Sequence, residues 1–123
     1  VTWRLRRLAG QFAVCRWPEG APIPEWVYEG AFWQVLQAPG ECTLVCEAGN
    51  VPVDVPSESG WHVLKVDETL GFDLTGVLHT LLAPLAAHEV VVLALSGYST
   101  DFLLVRDLEA AVRALRLAGH EVL

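Results

Sequence analysis

Two carboxylates sit directly behind glycine-bearing turns, Asp73 in Gly71-Phe72-Asp73 and Asp101 at the end of Ser96-Gly97-Tyr98-Ser99-Thr100. Asp73 suits the N-cap of a helix beginning at Leu74, and Asp101 suits the brace of a turn that opens a strand. The backbone N–H groups of Leu74, Thr75 and Gly76 would then lie in a first helical turn. Donors there have no intrahelical partner, and the helix dipole favours an anion. Gly76 carries no side chain, so a bound molecule could approach its backbone closely. Other reactive residue types are scattered. His62, His79, His88 and His120 are dispersed along the chain and form no metal-binding pattern, which makes them surface or internally satisfied residues. Cys15, Cys42 and Cys46 are odd in number and form no C-x-x-C, as expected of reduced, buried thiols. Cys42 and Cys46 share one face of a strand with no histidine nearby, so neither a metal nor another cofactor is expected. The chain also lacks G-x-S-x-G, a Walker loop, G-x-G-x-x-G and H-E-x-x-H, and the expectation is a protein that is not an enzyme.

Composition narrows the class. The chain has 123 residues, 53% of them hydrophobic, and a net charge of -7 from 15 acidic and 8 basic residues. That is one compact domain or two very small ones, with enough apolar mass to exclude disorder. Its longest apolar runs, 81–87 and 90–95, fall far short of the roughly 20 residues that span a bilayer. Arg4, Arg6, Arg7 and Arg16 form a short basic arm, and the acidic remainder would repel phosphate backbones, so neither membrane nor nucleic acid is expected as a partner. Gln11 and Arg16 interrupt the apolar stretch of that arm, which therefore does not read as a secretory signal; a cytoplasmic location is expected.

The elements that must position these residues are clearest in the second half. A strand over 61–67, a helix over 74–88, strands over 90–95 and 101–106, a helix capped by Asp107, and a last strand over 120–123 give the order βαββαβ. That order is the ferredoxin-like arrangement, a four-stranded antiparallel sheet with both helices on one face. Pro84 predicts a kink or a tightened last turn in the first helix. Gly119 stands at the C-terminal end of the second, and Glu109 and Arg113 form an i, i+4 pair. The first half echoes this pattern weakly. A strand over 12–17 precedes a proline-rich loop and at most one helical turn at 25–28; the strands 31–38 and 42–46 follow, about 59 residues before their counterparts. The fold class is therefore α+β: two ferredoxin-like units, residues 1–57 with reduced helices and residues 58–123 complete. Residues 54–60 join them, and the five Trp fill space where helices are missing.

At this level the sequence resembles the small tandem ACT-domain proteins, which are related to the regulatory domains of aspartate kinase and to a cytosolic arginine sensor. The resemblance rests on Glu41 to Cys46, on Gly71 to Val77 followed by Leu82 to Ala86, and above all on Ser96 to Val105. That last run fits S-x-Y-x-T-D-[FY]-x-L-V if Gly97 takes the variable place. In the first motif, relatives commonly have Glu, an aliphatic residue and Ser, where Cys42 and Thr43 stand here. The resemblance implies a regulatory module that binds a free amino acid between two ACT units. Its carboxylate would meet the N–H groups of Leu74, Thr75 and Gly76. Its ammonium would meet Asp101 or Asp73 with the carbonyls near Ser99 and Thr100, and Thr43 would add a hydroxyl from the other unit. The surplus apolar mass implies that a sheet face or edge left by the missing helices is buried in a homodimer.

Overall fold

The computed structural model describes residues 1–123. Eight strands and two α-helices follow in the order β1 (Arg4–Arg7), β2 (Phe12–Arg16), β3 (Gln34–Ala38), β4 (Glu41–Glu47), β5 (Ser57–Val66), α1 (Val77–Ala87), β6 (Val92–Ser96), β7 (Asp101–Val105), α2 (Leu108–Leu117) and β8 (Glu121–Val122). The contacts divide the chain into a larger unit, Val1–Ala9 with His62–Leu123, and a smaller one, Gly10–Trp61. The boundary expected at 57/58 therefore shifts. β1 pairs with strands of the larger unit, and the segment read as a linker is the first half of β5, which pairs with β2 through Cys15↔Ser57 and Val14↔Glu58.

In the larger unit the sheet order is β6-β7-β5-β1-β8. This is the ferredoxin-like order with one strand added: β1 lies between β5, to which it is antiparallel, and β8, to which it is parallel. The expected four-stranded antiparallel sheet is thus a five-stranded mixed one. The start of the short basic arm is its fourth member, because Leu5 is fully buried and points to the helices while Arg4 and Arg6 alternate outward. Outward, Arg4 reaches Glu121 at 2.9 Å and Arg6 reaches Asp67 at 3.0 Å. Such exposed pairs are screened by solvent and contribute little, so the strand is held by its backbone ladder and by the burial of Leu5 rather than by charge.

The two helices bury one stripe each: Val77, Leu81 and Leu85 from α1, and Ala111, Val112, Ala114 and Leu115 from α2. These pack on Leu5, Leu64, Val66, Leu103 and Val105. Asp107 caps α2 by accepting from the Ala110 N–H at 3.0 Å, as its position predicts. No ion pair forms between Glu109 and Arg113. Helix α1 begins at Val77, three residues later than expected: Gly76, with φ 77°, occupies the cap position, and the Leu74 N–H closes a turn onto the Gly71 carbonyl. At its other end the helix tightens, with His88 N–H donating to the Pro84 and Leu85 carbonyls.

Pro84 has a further consequence. It offers no N–H to the Thr80 carbonyl four residues back. His120 Nε2 lies 3.4 Å from that carbonyl, while its Nδ1 accepts from the Trp3 N–H at 3.0 Å. The imidazole is 5% exposed, and its two bonds fix the tautomer with the proton on Nε2. One ring thus satisfies a carbonyl orphaned by proline and an N–H at the entry of β1.

The smaller unit repeats the order with single 3-10 turns, at Glu25–Tyr28 and Ala48–Asn50, where helices would stand. Its sheet runs β3-β4-β2-β5, the ferredoxin-like order. One sheet face packs Ala13, Cys15, Cys42, Leu44 and Cys46 under Val27 of the first turn, with Trp17 and Trp26 over them in an edge-to-face pair 5.8 Å apart. Only these two of the five Trp serve that cover; Trp3 packs on the core of the larger unit, and Trp33 stands half exposed against Tyr28. All three thiols are free and buried. Burial pushes the Cys46 thiol up to about 12 and raises Cys15, which hydrogen-bonds to it.

The substitution His120→Ala should lower unfolding free energy by about 1–3 kcal/mol, since it strands a buried N–H and a carbonyl. In a Pro84→Ala background the loss measured by denaturant titration should be smaller, because alanine at that position restores an N–H donor for the Thr80 carbonyl. The raised thiols predict that iodoacetamide at mildly alkaline pH labels Cys15 and Cys46 only after unfolding. Above the ordinary thiol pKa the unfolded chain loses these protons first, so stability should fall as pH rises from about 9 toward 12.

Candidate functional site

The loop from β5 to α1 and the turn from β6 to β7 meet over a cavity of about 290 Å³ in the larger unit. Leu70, Gly71, Phe72, Leu74 and Gly76 line it from the loop; Val77 and Leu78 line it from the first turn of α1. Ser96, Gly97, Tyr98, Thr100 and Asp101 close the other side. Two backbone bonds fix this geometry: Leu70 N–H donates to the Ser99 carbonyl at 2.7 Å, and Gly97 N–H to the Thr100 carbonyl at 2.8 Å. A third bond, from Thr100 Oγ1 to the Val66 carbonyl at 2.7 Å, ties the start of β7 to the end of β5.

Of the residues expected at a site, the structure brings Leu74, Gly76, Thr100 and Asp101 together in this lining. Asp73, Thr75 and Ser99 are exposed neighbours of the lining rather than members of it. Asp73 is not the helix cap, because the helix starts after Gly76; its carboxylate packs instead over Gly71, where a Cβ would lie 2.6 Å from Oδ1. The Leu74 N–H is spent on the Gly71 carbonyl. Thr100 uses its hydroxyl structurally and is 8% exposed. Thr43 lies in the smaller unit, hydrogen-bonded to Glu41 at 3.2 Å, and lines a cavity of about 500 Å³ with Arg16 and Glu58.

What remains is a coherent chemistry. Asp101 is the only side chain in the lining that carries a charge at neutral pH, and no Lys, Arg or His joins it. Negative charge is thus available for a cation, while an anionic group can be met only by backbone donors. In the first turn of α1 the N–H groups of Val77 and Leu78 have no intrahelical acceptors, and that turn carries no acid of its own. Gly76 is indispensable to the approach: at φ 77° a side chain would cost about 1–2 kcal/mol of backbone strain, and the space beside it is open.

Phe72 and Tyr98, one from each loop, stand edge to face at 5.0 Å and 88°. They are 77% and 84% exposed, so both rings present apolar surface to solvent at the mouth of the cavity. Sequence reasoning places Tyr98 in the most specific motif but misses Phe72, Leu70, Val77 and Leu78 as lining. Their signal was an aromatic residue between Gly71 and Asp73, in a turn where no core could claim it.

A family model for the ACT domain matches residues 56–116, and a second model, describing an N-terminal domain, matches residues 10–54. A crystal structure of a protein from Agrobacterium tumefaciens superposes with a TM-score of 0.94 at 30% identity, covering 100% of this chain and 93% of that one. The chain belongs to the ACT-domain family. Among curated relatives, the human protein named cytosolic arginine sensor for mTORC1 subunit 1 is 34% identical over a 92-position alignment that covers 66% of this chain. The match takes in 28% of the sensor's length, so the chain corresponds to about a quarter of that relative. An aspartate kinase from Clostridium acetobutylicum shares the fold at a TM-score of 0.66 and 14% identity, over 93% of this chain and 33% of the enzyme. The two α-helices on one side of a mostly antiparallel sheet are those of an ACT domain. No helix of the chain is long and apolar enough to cross a membrane.

Proposed function

We propose that this ACT-domain chain is a non-enzymatic, cytoplasmic regulatory module whose cavity at the β5–α1 loop binds a free amino acid. The observation that carries this reading is the pairing of a lone carboxylate, Asp101, with the open N-terminus of α1 across one small cavity. An α-amino acid presents the complementary pair, an ammonium for Asp101 and a carboxylate for the Val77 and Leu78 N–H groups. The Thr75 and Gly76 N–H groups and the exposed Asp73 and Ser99 extend the same contacts outward. Because the lining holds no cation, the ligand's own side chain is neutral or basic, not acidic. The sensor relative, named for arginine, fits that limit.

The expected result is a thermal shift with one or a few neutral or basic amino acids, equivalent to about 2.7 kcal/mol at a hundredfold excess over Kd. Asp101→Asn should abolish the shift while changing the unliganded stability by less than about 0.5 kcal/mol, since Asp101 is only partly buried. A chain purified without ligand that responds to none of the amino acids would overturn the assignment.

The same chain is proposed to form a homodimer through β6. This strand pairs only with β7, leaving one edge open; Val91, just before it, and Leu93, within it, are 66% and 37% exposed. An open apolar edge invites a second strand. Sedimentation at micromolar concentration should show a dimer that Leu93→Lys dissociates.

A further inference from the structure

A groove of about 550 Å³ runs along the outer side of α2, away from the ligand cavity, lined by Leu108, Val112 and Leu117 of the helix and by three arginines. Arg113 and Arg116 stand one helical turn apart, and Arg7 joins them from the end of β1. Two of the guanidiniums are fixed: Arg7 Nε donates to the Leu123 backbone oxygen at 3.1 Å, and Arg116 Nη2 donates to the Val122 carbonyl at 2.8 Å. Acceptors on consecutive residues hold the two head groups as neighbours, with most of their N–H donors still unused. None of the three arginines is paired with a side-chain carboxylate, whereas Arg4 pairs with Glu121 and Arg6 with Asp67.

This is the reverse of the chain's overall balance. Fifteen acids against eight bases give a net charge of -7, yet this groove collects three bases and one acid, Glu109, which forms no ion pair. The helix dipole accounts for a cation at Arg116 in the last turn of α2, but it does not account for Arg7 being brought from another element to the same place. Between the charges, Leu117 is 72% exposed and Val112 and Leu108 continue an apolar floor. Guanidiniums beside an exposed aliphatic side chain offer charge and apolar contact together, which a protein segment can meet at once and a small anion cannot.

We infer that the α2 groove docks an acidic segment of a partner protein, its carboxylates on Arg7, Arg113 and Arg116 and an aliphatic side chain on Leu117. Charge complementarity selects such a segment, since bidentate guanidinium–carboxylate pairs need a partner that brings the acids this chain withholds here. The groove would give the ACT unit an output surface on a helix that does not line the ligand cavity.

The test uses the full chain and a synthetic peptide of alternating glutamate and leucine. Two further probes are a glutamate–serine peptide of equal charge and inorganic tripolyphosphate. Amide NMR titration should move the resonances of α2 and Arg7, with binding that weakens as salt is added. Arg113→Glu should weaken binding about tenfold and Leu117→Ser severalfold. Both side chains are surface residues whose replacement leaves the fold intact, to be verified by an unchanged far-ultraviolet spectrum. Binding that survives Arg113→Glu, or perturbations that map elsewhere, would overturn the inference. So would tripolyphosphate or the serine peptide binding as tightly with Leu117→Ser without effect, which would make the groove a simple anion site.

Discussion

The larger unit depends on a strand that comes from the far end of the chain. β1 completes the sheet between β5 and β8, and without it the two-residue β8 would have no neighbour and the α1–α2 layer would lose the fully buried Leu5. A ladder of backbone bonds sets this placement, including Leu8 N–H to Val63, Asp67 N–H to Arg4 and Leu123 N–H to Leu5. His120 secures its entry by spending one ring nitrogen on Trp3 and the other on the carbonyl that Pro84 leaves open. A buried polar ring with both nitrogens engaged stabilises; the same ring with one partner removed would carry a desolvation penalty. Proline in α1, histidine after α2 and the first residues of the chain are thus one coupled device.

The same sheet places the cavity. The end of β5, the loop that follows it and the turn into β7 are fixed by Thr100, Ser99 and Gly97 through three short hydrogen bonds. Asp101 emerges from that frame with its carboxylate unspent, and the helix donors face the same space. In the proposed reading, opposite partial charges held apart at fixed positions would favour a zwitterion over either a cation or an anion alone. The exposed Phe72 and Tyr98 add apolar surface at the mouth of the cavity without adding charge.

Much of this was legible in the residues. The βαββαβ order, the Asp107 cap, the tightened turn at Pro84 and the single turn at 25–28 all follow from local rules of spacing, capping and proline geometry. The shared strand face of Cys42 and Cys46 is equally local, since alternation along a strand needs no partner to define it. Asp73 misled because an acid before an apolar run suits a helix cap. Gly76 at positive φ moved the helix start three residues on, and the carboxylate was left over Gly71.

The sequence by itself determined the βαββαβ order of the second half, helix faces, the absence of catalytic motifs and the loop that carries the candidate site, because each depends on residues within a turn or two of one another. Tertiary structure alone decided where β1 goes, which acid faces the cavity and which arginines share a groove. Arg4, Leu5, Arg6 and Arg7 have the alternation of a strand, but nothing local says that its neighbours are β5 and β8, from the middle and the far end of the chain; long-range pairing is set by the competition of all strands for one core. For the same reason Thr43, equivalent to the other candidates in chemistry, belongs to a different cavity. Side-chain type states what a residue can do, and only the packed backbone brings two such residues within reach of one ligand.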